Sequence, residues 1–291
     1  MKHACAALSL WAAIAFVFPS GTDQPRELRN LAYYEGPGAH PRKHLLNLFL
    51  PSASAGHPVL VFVHGGSWKR GDKDAYGGAY GAMGRSLAAE GVAVAVINYR
   101  LTPEVRHPEH TRDVARAVSW VHNKASLYGW NARKIVLVGH SAGAHLCSLT
   151  ALDATYLEEH GLTPDVIGGV VGVSGIYDLT RLGVTGQLLF QDVFGVRDEQ
   201  LQSASPALRV QGKPAPFLLL YADKDIPTFD YQTRRLESAL DKSGGTVRSV
   251  EIPDRNHRNI IAGLGRKGDP VRDEVLRFLR ELFPSGQPPA P

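Results

Sequence analysis

The chain of 291 residues holds two cysteines, Cys5 and Cys147. Cys5 lies in an apolar N-terminal stretch; once that stretch is removed one thiol remains, which excludes an intramolecular disulfide framework. Cys147 then reads as a small buried apolar residue. An excess of one charge is also lacking. Lys and Arg total 32 against 28 Asp and Glu, a formal net charge of +4, and no basic run reaches five residues. That distribution describes a mildly basic soluble surface and argues against nucleic-acid binding. No segment is a clear membrane span, because the apolar stretch Ala4 to Phe18 is shorter than the roughly 20 residues a bilayer needs. A phosphate-cradling loop is missing as well: "GLGRKGD" lacks the Gly-Lys-Ser/Thr ending. His107, His110 and Asp113 in "RHPEHTRD" have no partner cluster at zinc spacing, so no metal is expected. There is no internal repeat.

What is present is ordinary globular material, 44% hydrophobic and 21% charged, enough for a sizeable core. Lys2 and His3 followed by the apolar stretch and then Pro19, Ser20 and Gly21 predict a secretory signal over residues 1–21. The expected location is outside the cytoplasm, secreted or periplasmic; an uncleaved membrane anchor is the alternative. Residues 22–284 are expected to form one α/β domain, and the Pro/Gly-rich residues 285–291 a flexible tail.

Short β-branched runs alternate with helical patterns. Val59–Val63, Val92–Ile97, Ile135–Val138, Ile167–Val173 and Phe217–Tyr221 are uniformly apolar or nearly so, as strands covered on both faces are, and Val247–Ile252 is read as a further strand of the same sheet. Leu45–Leu50 reads as an earlier strand. Helical spacing predicts helices from Thr111 to about Ser126, over Phe229–Leu240 and over Val271–Leu282. Strands alternating with helices imply a doubly wound, mainly parallel sheet whose site lies beyond the carboxyl ends of its strands. Residues 177–213 break this rhythm. They read as a cap-like excursion forming part of a pocket, or as an ordinary crossover with long loops.

At the end of one such strand stands "KIVLVGHSAGAH". Gly139-His140-Ser141-Ala142-Gly143 is a G-x-S-x-G turn between strand and helix, the context of a nucleophile elbow. The turn is tight enough that the positions two residues either side of the serine must lack side chains. The Ala142 N–H, at the helix start, is free to bind an anion. A serine nucleophile needs a base. Of twelve histidines, His257 alone follows His160, after the strand Val247–Ile252. An acid is expected after the preceding strand, where Asp225 is preferred and Asp223 is better suited to holding the turn. "HGGSW" follows Val59–Val63, and its glycines let backbone N–H groups face a developing oxyanion. Gly66, Ser67 and Ala142 are the expected donors, with His64 holding the loop. Trp68 either lines the pocket or packs in the loop. His140 is a candidate substrate contact, and His145 a contact on the helix face.

"HGGSW", "INYRLTPE", "GHSAGAH", "SGIYDL" and "ADKD…H" occur in an order and at spacings that resemble the α/β-hydrolase superfamily over about residues 31–283. The chain resembles its carboxylesterase branch, with hormone-sensitive-lipase-like, feruloyl-esterase-like, isoprenylcysteine-methylesterase-like and kynurenine-formamidase-like members. It has HGGS and GHSAGA where the lipase-like group shows HGGG and GDSAGG, which sets it nearer the methylesterase and formamidase groups. The resemblance implies a serine esterase acting on small to medium carboxylic esters through Ser141, His257 and Asp225, without metal or organic cofactor. An arylformamidase or amidase with the same triad is the alternative, and a non-catalytic hydrolase-like binding protein a more distant one.

Overall fold

A computed structural model describes residues 25–52 and 56–284. The expected signal, residues 1–21, and the tail, residues 285–291, lie outside the described residues. Eight strands form one sheet: β1 (Arg26–Ala32), β2 (Leu45–Leu50), β3 (His57–Val63), β4 (Ala93–Ile97), β5 (Trp130–His140), β6 (Ile167–Val173), β7 (Phe217–Lys224) and β8 (Val247–Asn256). Their order across the sheet is β1-β2-β4-β3-β5-β6-β7-β8. β2 runs antiparallel to β1 and β4, and every pairing from β4 to β8 is parallel.

The uniform apolarity of the central strands follows from their two covered faces. Val59, Val61 and Val63 of β3 join one core, while Leu60 and Phe62 join the other. Ile135 and Leu137 of β5 likewise oppose Val136 and Val138. Helices Glu109–Asn123, Ala142–Leu152 and Phe229–Lys242 supply the first core, and helices Ala75–Ala88 and Pro270–Leu282 the second. Burying one such Val, Leu or Ile side chain stabilises the fold by about 1.5–3 kcal/mol. This is the α/β-hydrolase fold.

Three details differ from the sequence expectation. β1 was not anticipated, because "RELRNLA" is a polar, half-exposed edge strand with an irregularity between Leu28 and Leu31. Helix Ala75–Ala88 was not anticipated either, since it carries Gly77, Gly78, Gly81 and Gly84. At Gly84 a Cβ would lie 2.3 Å from the Phe49 ring, so glycine lets this helix close on β2. The helix expected from Thr111 begins instead at Glu109, with Pro108 at its N-cap, and stops at Asn123. A separate turn, Ala125–Tyr128, follows and ends at Gly129 in the left-handed region, φ 83°.

The strand ends position everything that follows. β3 stops at Val63, β5 at His140, β7 at Lys224 and β8 at Asn256. His64, Ser141, Asp225 and His257 are therefore each the first residue past a strand's carboxyl end. Lys224 and Asn256 are paired partners in the sheet, so the residues after them leave side by side. Between β6 and β7, residues 177–213 fold into short helices Gly183–Leu189, Gln191–Phe194 and Asp198–Ser203 and a 3₁₀ turn at Pro206–Leu208.

Candidate active site

The turn at Ser141 is tight for a steric reason. Ser141 adopts φ 54°, ψ −118°, and helix Ala142–Leu152 begins at the next residue. A Cβ on Gly139 would lie 2.3 Å from the Gly143 carbonyl carbon, and one on Gly143 would lie 2.0 Å from the Val63 carbonyl oxygen. Backbone occupies both positions, so neither can carry a side chain. The Ser141 N–H donates to Val173 O at 2.8 Å, tying the turn to the end of β6.

Ser141 Oγ lies 3.0 Å from His257 Nε2. On the other side of the ring, His257 Nδ1 lies 2.8 Å from Asp225 Oδ1. A carboxylate only accepts, so Nδ1 carries the proton and Nε2 is left to accept from the serine hydroxyl. Phe229 packs edge-on to the His257 ring, with centroids 4.8 Å apart. Asp225 is held by more than its histidine. Oδ2 accepts from the Ser174 hydroxyl and from the Ala222 N–H, and Oδ1 accepts from the Ile226 N–H. Burial works to raise its pKa, but the hydrogen bonds from His257 and Ser174 outweigh it and keep the carboxyl below its ordinary value. Asp223, two residues earlier, accepts from the Arg255 N–H at 2.9 Å and fastens the β7–β8 ends.

The glycine loop lies against the elbow. A Cβ on Gly65 would lie 2.9 Å from both the carbonyl oxygen and Nδ1 of His140, and 3.2 Å from Ser141 Cβ. Gly66 has φ 123°, and a Cβ there would lie 2.0 Å from Arg70 O. Ser67 and Trp68 follow at φ 57° and 58°. This run of positive φ turns successive peptide groups over. Among the described residues, the backbone N–H groups of Gly66, Ser67 and Ala142 meet no acceptor. His64 does hold the loop. Its Nδ1 donates to Gly65 O at 2.8 Å, its ring stacks on Tyr99 at 4.4 Å, and burial lowers its pKa to about 4, so it is neutral. The Tyr99 hydroxyl donates to His64 O, and the Thr102 N–H to Trp68 O.

Trp68 takes the packing role. It is fully buried and meets His145, Phe190 and Phe194 edge-on, with centroids 4.8–5.2 Å apart. Phe190 and Phe194 belong to the 177–213 segment, so the indole anchors that segment to the glycine loop. Lys69 adds an ion pair to Asp192 at 2.7 Å and a hydrogen bond to Leu189 O at 2.9 Å. His140 is buried as well, and its Nε2 bonds the His257 carbonyl oxygen at 2.8 Å rather than facing outward. His145 Nε2 donates to Ala204 O. Cys147 is buried, and burial raises its thiol pKa well above the usual value. His107, His110 and Asp113 do not converge: Asp113 is bonded to His44, Arg100 and Arg116, and His110 to Thr102. Among the described residues no cluster of His, Cys, Asp or Glu is arranged to hold a metal ion, and no helix is long and apolar enough to cross a membrane.

Sequence reasoning missed Ser174. It stands at the end of β6 with φ 48° and is fully buried; the only signal was a serine just past a buried strand, in "SGIYDL".

The family model of BD-FAE matches residues 46–240, about two thirds of the chain and a span holding both Ser141 and Asp225. The chain belongs to the BD-FAE family. Among curated relatives of this BD-FAE chain, Esterase LipQ of Mycobacterium tuberculosis is 32% identical over 266 residues, covering 85% of the chain and 61% of LipQ. The kynurenine formamidase of Salmo salar is 28% identical over 253 residues, covering 84% of the chain and 80% of the formamidase. The chain thus spans about three fifths of the esterase relative and most of the formamidase. In fold, the BD-FAE chain matches the crystal structure of Esterase B from Lactobacillus rhamnosis with a TM-score of 0.73 at 22% identity, over 89% of this chain and 86% of that one.

Proposed function

We propose that this chain is a serine hydrolase of small to medium carboxylic esters. The observation that carries the reading is the ordered relay Ser141 Oγ, His257 Nε2, His257 Nδ1, Asp225 Oδ1, with steps of 3.0 and 2.8 Å. Ser141 Oγ attacks the ester carbonyl carbon while its proton passes to His257 Nε2. Asp225 orients the ring and balances the imidazolium charge. The carbonyl oxygen becomes an oxyanion facing the Gly66, Ser67 and Ala142 N–H groups. As the intermediate collapses, His257 returns the proton to the leaving alkoxide and an acyl-Ser141 remains. Water, deprotonated by the same histidine, releases the carboxylic acid and restores the serine. Every proton taken up is given back, and the cycle consumes one water per ester.

Substrate preference rests on the segment 177–213, anchored beside the glycine loop through Trp68 and Lys69. A second reading, an arylformamidase using the same relay, is favoured by one observation: the formamidase relative is covered over 80% of its length, against 61% for the esterase.

The test is turnover of p-nitrophenyl esters from acetate to palmitate by the wild type and Ser141→Ala, with N-formylkynurenine run in parallel. The expected result is short-chain ester hydrolysis that falls by at least about 10³-fold in Ser141→Ala at unchanged stability. Formamide turnover exceeding ester turnover would move the assignment to the second reading. Full activity in Ser141→Ala would overturn both.

A further inference from the structure

We propose that His140 is the positioning residue that locks the nucleophile turn, the base and the glycine loop into one register. The proposal rests on the reading of this centre as a serine hydrolase. Three contacts argue for it. His140 is the last residue of β5 and is covalently joined to Ser141, so the two move together. Its Nε2 lies 2.8 Å from the backbone carbonyl oxygen of His257, joining positions 117 residues apart in the chain. Its Nδ1 lies 2.9 Å from where a Gly65 side chain would begin, so the same ring floors the glycine loop.

The chemistry of the bond is determined by its acceptor. A carbonyl oxygen only accepts, so Nε2 bears the hydrogen and Nδ1 bears a lone pair. That Nδ1 is buried and has no hydrogen-bond partner. Burial first, and then the neighbouring His257, lower the His140 pKa to about 4, so the ring stays neutral and keeps this tautomer through neutral pH. The two imidazoles lie 5.0 Å apart at 39°, and the only protonated nitrogen of His140 points at the main chain of its neighbour, not at the ring.

The location makes this tether matter. His257 stands at the start of a turn, one residue past β8, the last strand at that edge of the sheet. From the backbone side the turn is braced locally, with Asn256 Oδ1 accepting from the Arg258 and Asn259 N–H groups. Beside the relay's own Ser141–His257 bond, the bond from His140 fixes the main chain of this turn against the elbow. The relay tolerates little slack, because a misplacement of about 1 Å costs on the order of 10²-fold in rate.

The experiment compares full-length wild type, Ser141→Ala, His140→Phe, His140→Asn and His140→Gln. Phe keeps a planar ring and loses the donor; Asn keeps a donor that is too short to reach; Gln restores both reach and donor. Two readouts are used: kcat and KM on p-nitrophenyl acetate, and the NMR titration of the His257 Cε1 proton, which needs no turnover. Expected are a loss of about 10–100-fold in kcat for the Phe and Asn variants, with KM within about 3-fold. A displaced His257 titration should accompany it, and Gln should recover much of both. Wild-type kcat and titration in the Phe and Asn variants would overturn the proposal. So would equal losses in all three variants, which would assign the effect to ring packing. If His140→Phe fails to fold, His140→Asn and His140→Gln still decide between donor and packing. Absence of Ser141-dependent turnover in the wild type would overturn the hydrolase reading instead, while the His257 titration would still judge the tether.

Discussion

The hydroxyl of Ser174 donates to Oδ2 of Asp225, one of the two oxygens of the acid whose other oxygen faces His257. Each carboxylate oxygen also takes a backbone N–H, from Ala222 on one side and Ile226 on the other. The acid is thus fixed from β6 and from its own turn before it meets the base.

Ser174→Ala removes one donor to an ionised, largely buried carboxylate, an interaction of about 1.5–3 kcal/mol. The Asp225 pKa is held low in the native state, so its contribution is present at neutral pH and is lost as pH falls through the folded value. With one donor gone that loss begins at higher pH. The expected outcome is about ten-fold lower kcat/KM at neutral pH, with the acidic limb of the pH–rate profile displaced upward. A profile coincident with the wild type would show that Ser174 is dispensable.

Two glycine substitutions should move stability in opposite directions. Gly143→Ala forces a methyl group to within 2.0 Å of Val63 O and 2.8 Å of His64 O, both backbone. Destabilisation of at least about 3 kcal/mol is expected. Gly81 lies inside helix Ala75–Ala88, and a Cβ there meets nothing nearer than an Arg85 side-chain nitrogen at 3.5 Å. Gly81→Ala should stabilise by about 0.5–1 kcal/mol. Urea midpoints of the two variants against wild type provide the check.

Asp113 is fully buried and accepts from His44 Nε2 at 3.0 Å, from Arg100 Nε at 2.9 Å and Nη2 at 2.8 Å, and from Arg116 Nη1 at 2.6 Å. Burial works to raise its pKa, but the hydrogen bonds from His44 and Arg100 hold the carboxyl well below the usual range. Asp113→Ala leaves the half-buried guanidinium groups of Arg100 and Arg116 without their partner and should cost about 1.5–3 kcal/mol. Because Arg100 lies two residues before Thr102, whose N–H holds Trp68 O, the glycine loop should loosen too. A denaturation midpoint within error of wild type would count against this account.

Acid should weaken the fold before the carboxylates titrate. His64, His107, His110 and His140 have pKa values lowered by burial from 6.5 to about 4, and His145 to about 3. The unfolded chain takes up these protons near pH 6.5 and the folded one does not. Stability is therefore full above that value and falls as pH drops toward 4, by about 1.4 kcal/mol per pH unit for each histidine. Urea midpoints at pH 7.5, 6, 5 and 4.5 should decline progressively, and a flat series would be inconsistent with neutral buried rings.

The central strands were legible because both their faces are covered, which makes β3 to β7 read as unbroken apolar runs. Ser141 and Asp225 were legible for a related reason, each being the first residue past such a run, while His257 was legible as the one histidine after His160, in an order the topology permits. β1 and helix Ala75–Ala88 left no such trace, one being a half-exposed edge and the other glycine-rich where it closes on Phe49. Ser174 is an ordinary serine until β6 and β7 are placed side by side. The neighbour of His140 could not be read at all, since a backbone carbonyl 117 residues away has no sequence signature. Trp68 was open between two roles, and only the placement of Phe190 and Phe194 against it decided for packing.

The separation of the relay in sequence has a consequence during synthesis. Ser141 leaves the ribosome 116 residues before His257, a delay of roughly 6–23 s at typical elongation rates. Throughout that interval the nascent chain holds a hydroxyl with no base beside it. On the proposed mechanism it is inert toward every ester it meets. Any product terminated before β8 docks stays so, which makes hydrolytic competence depend on synthesis running past that strand.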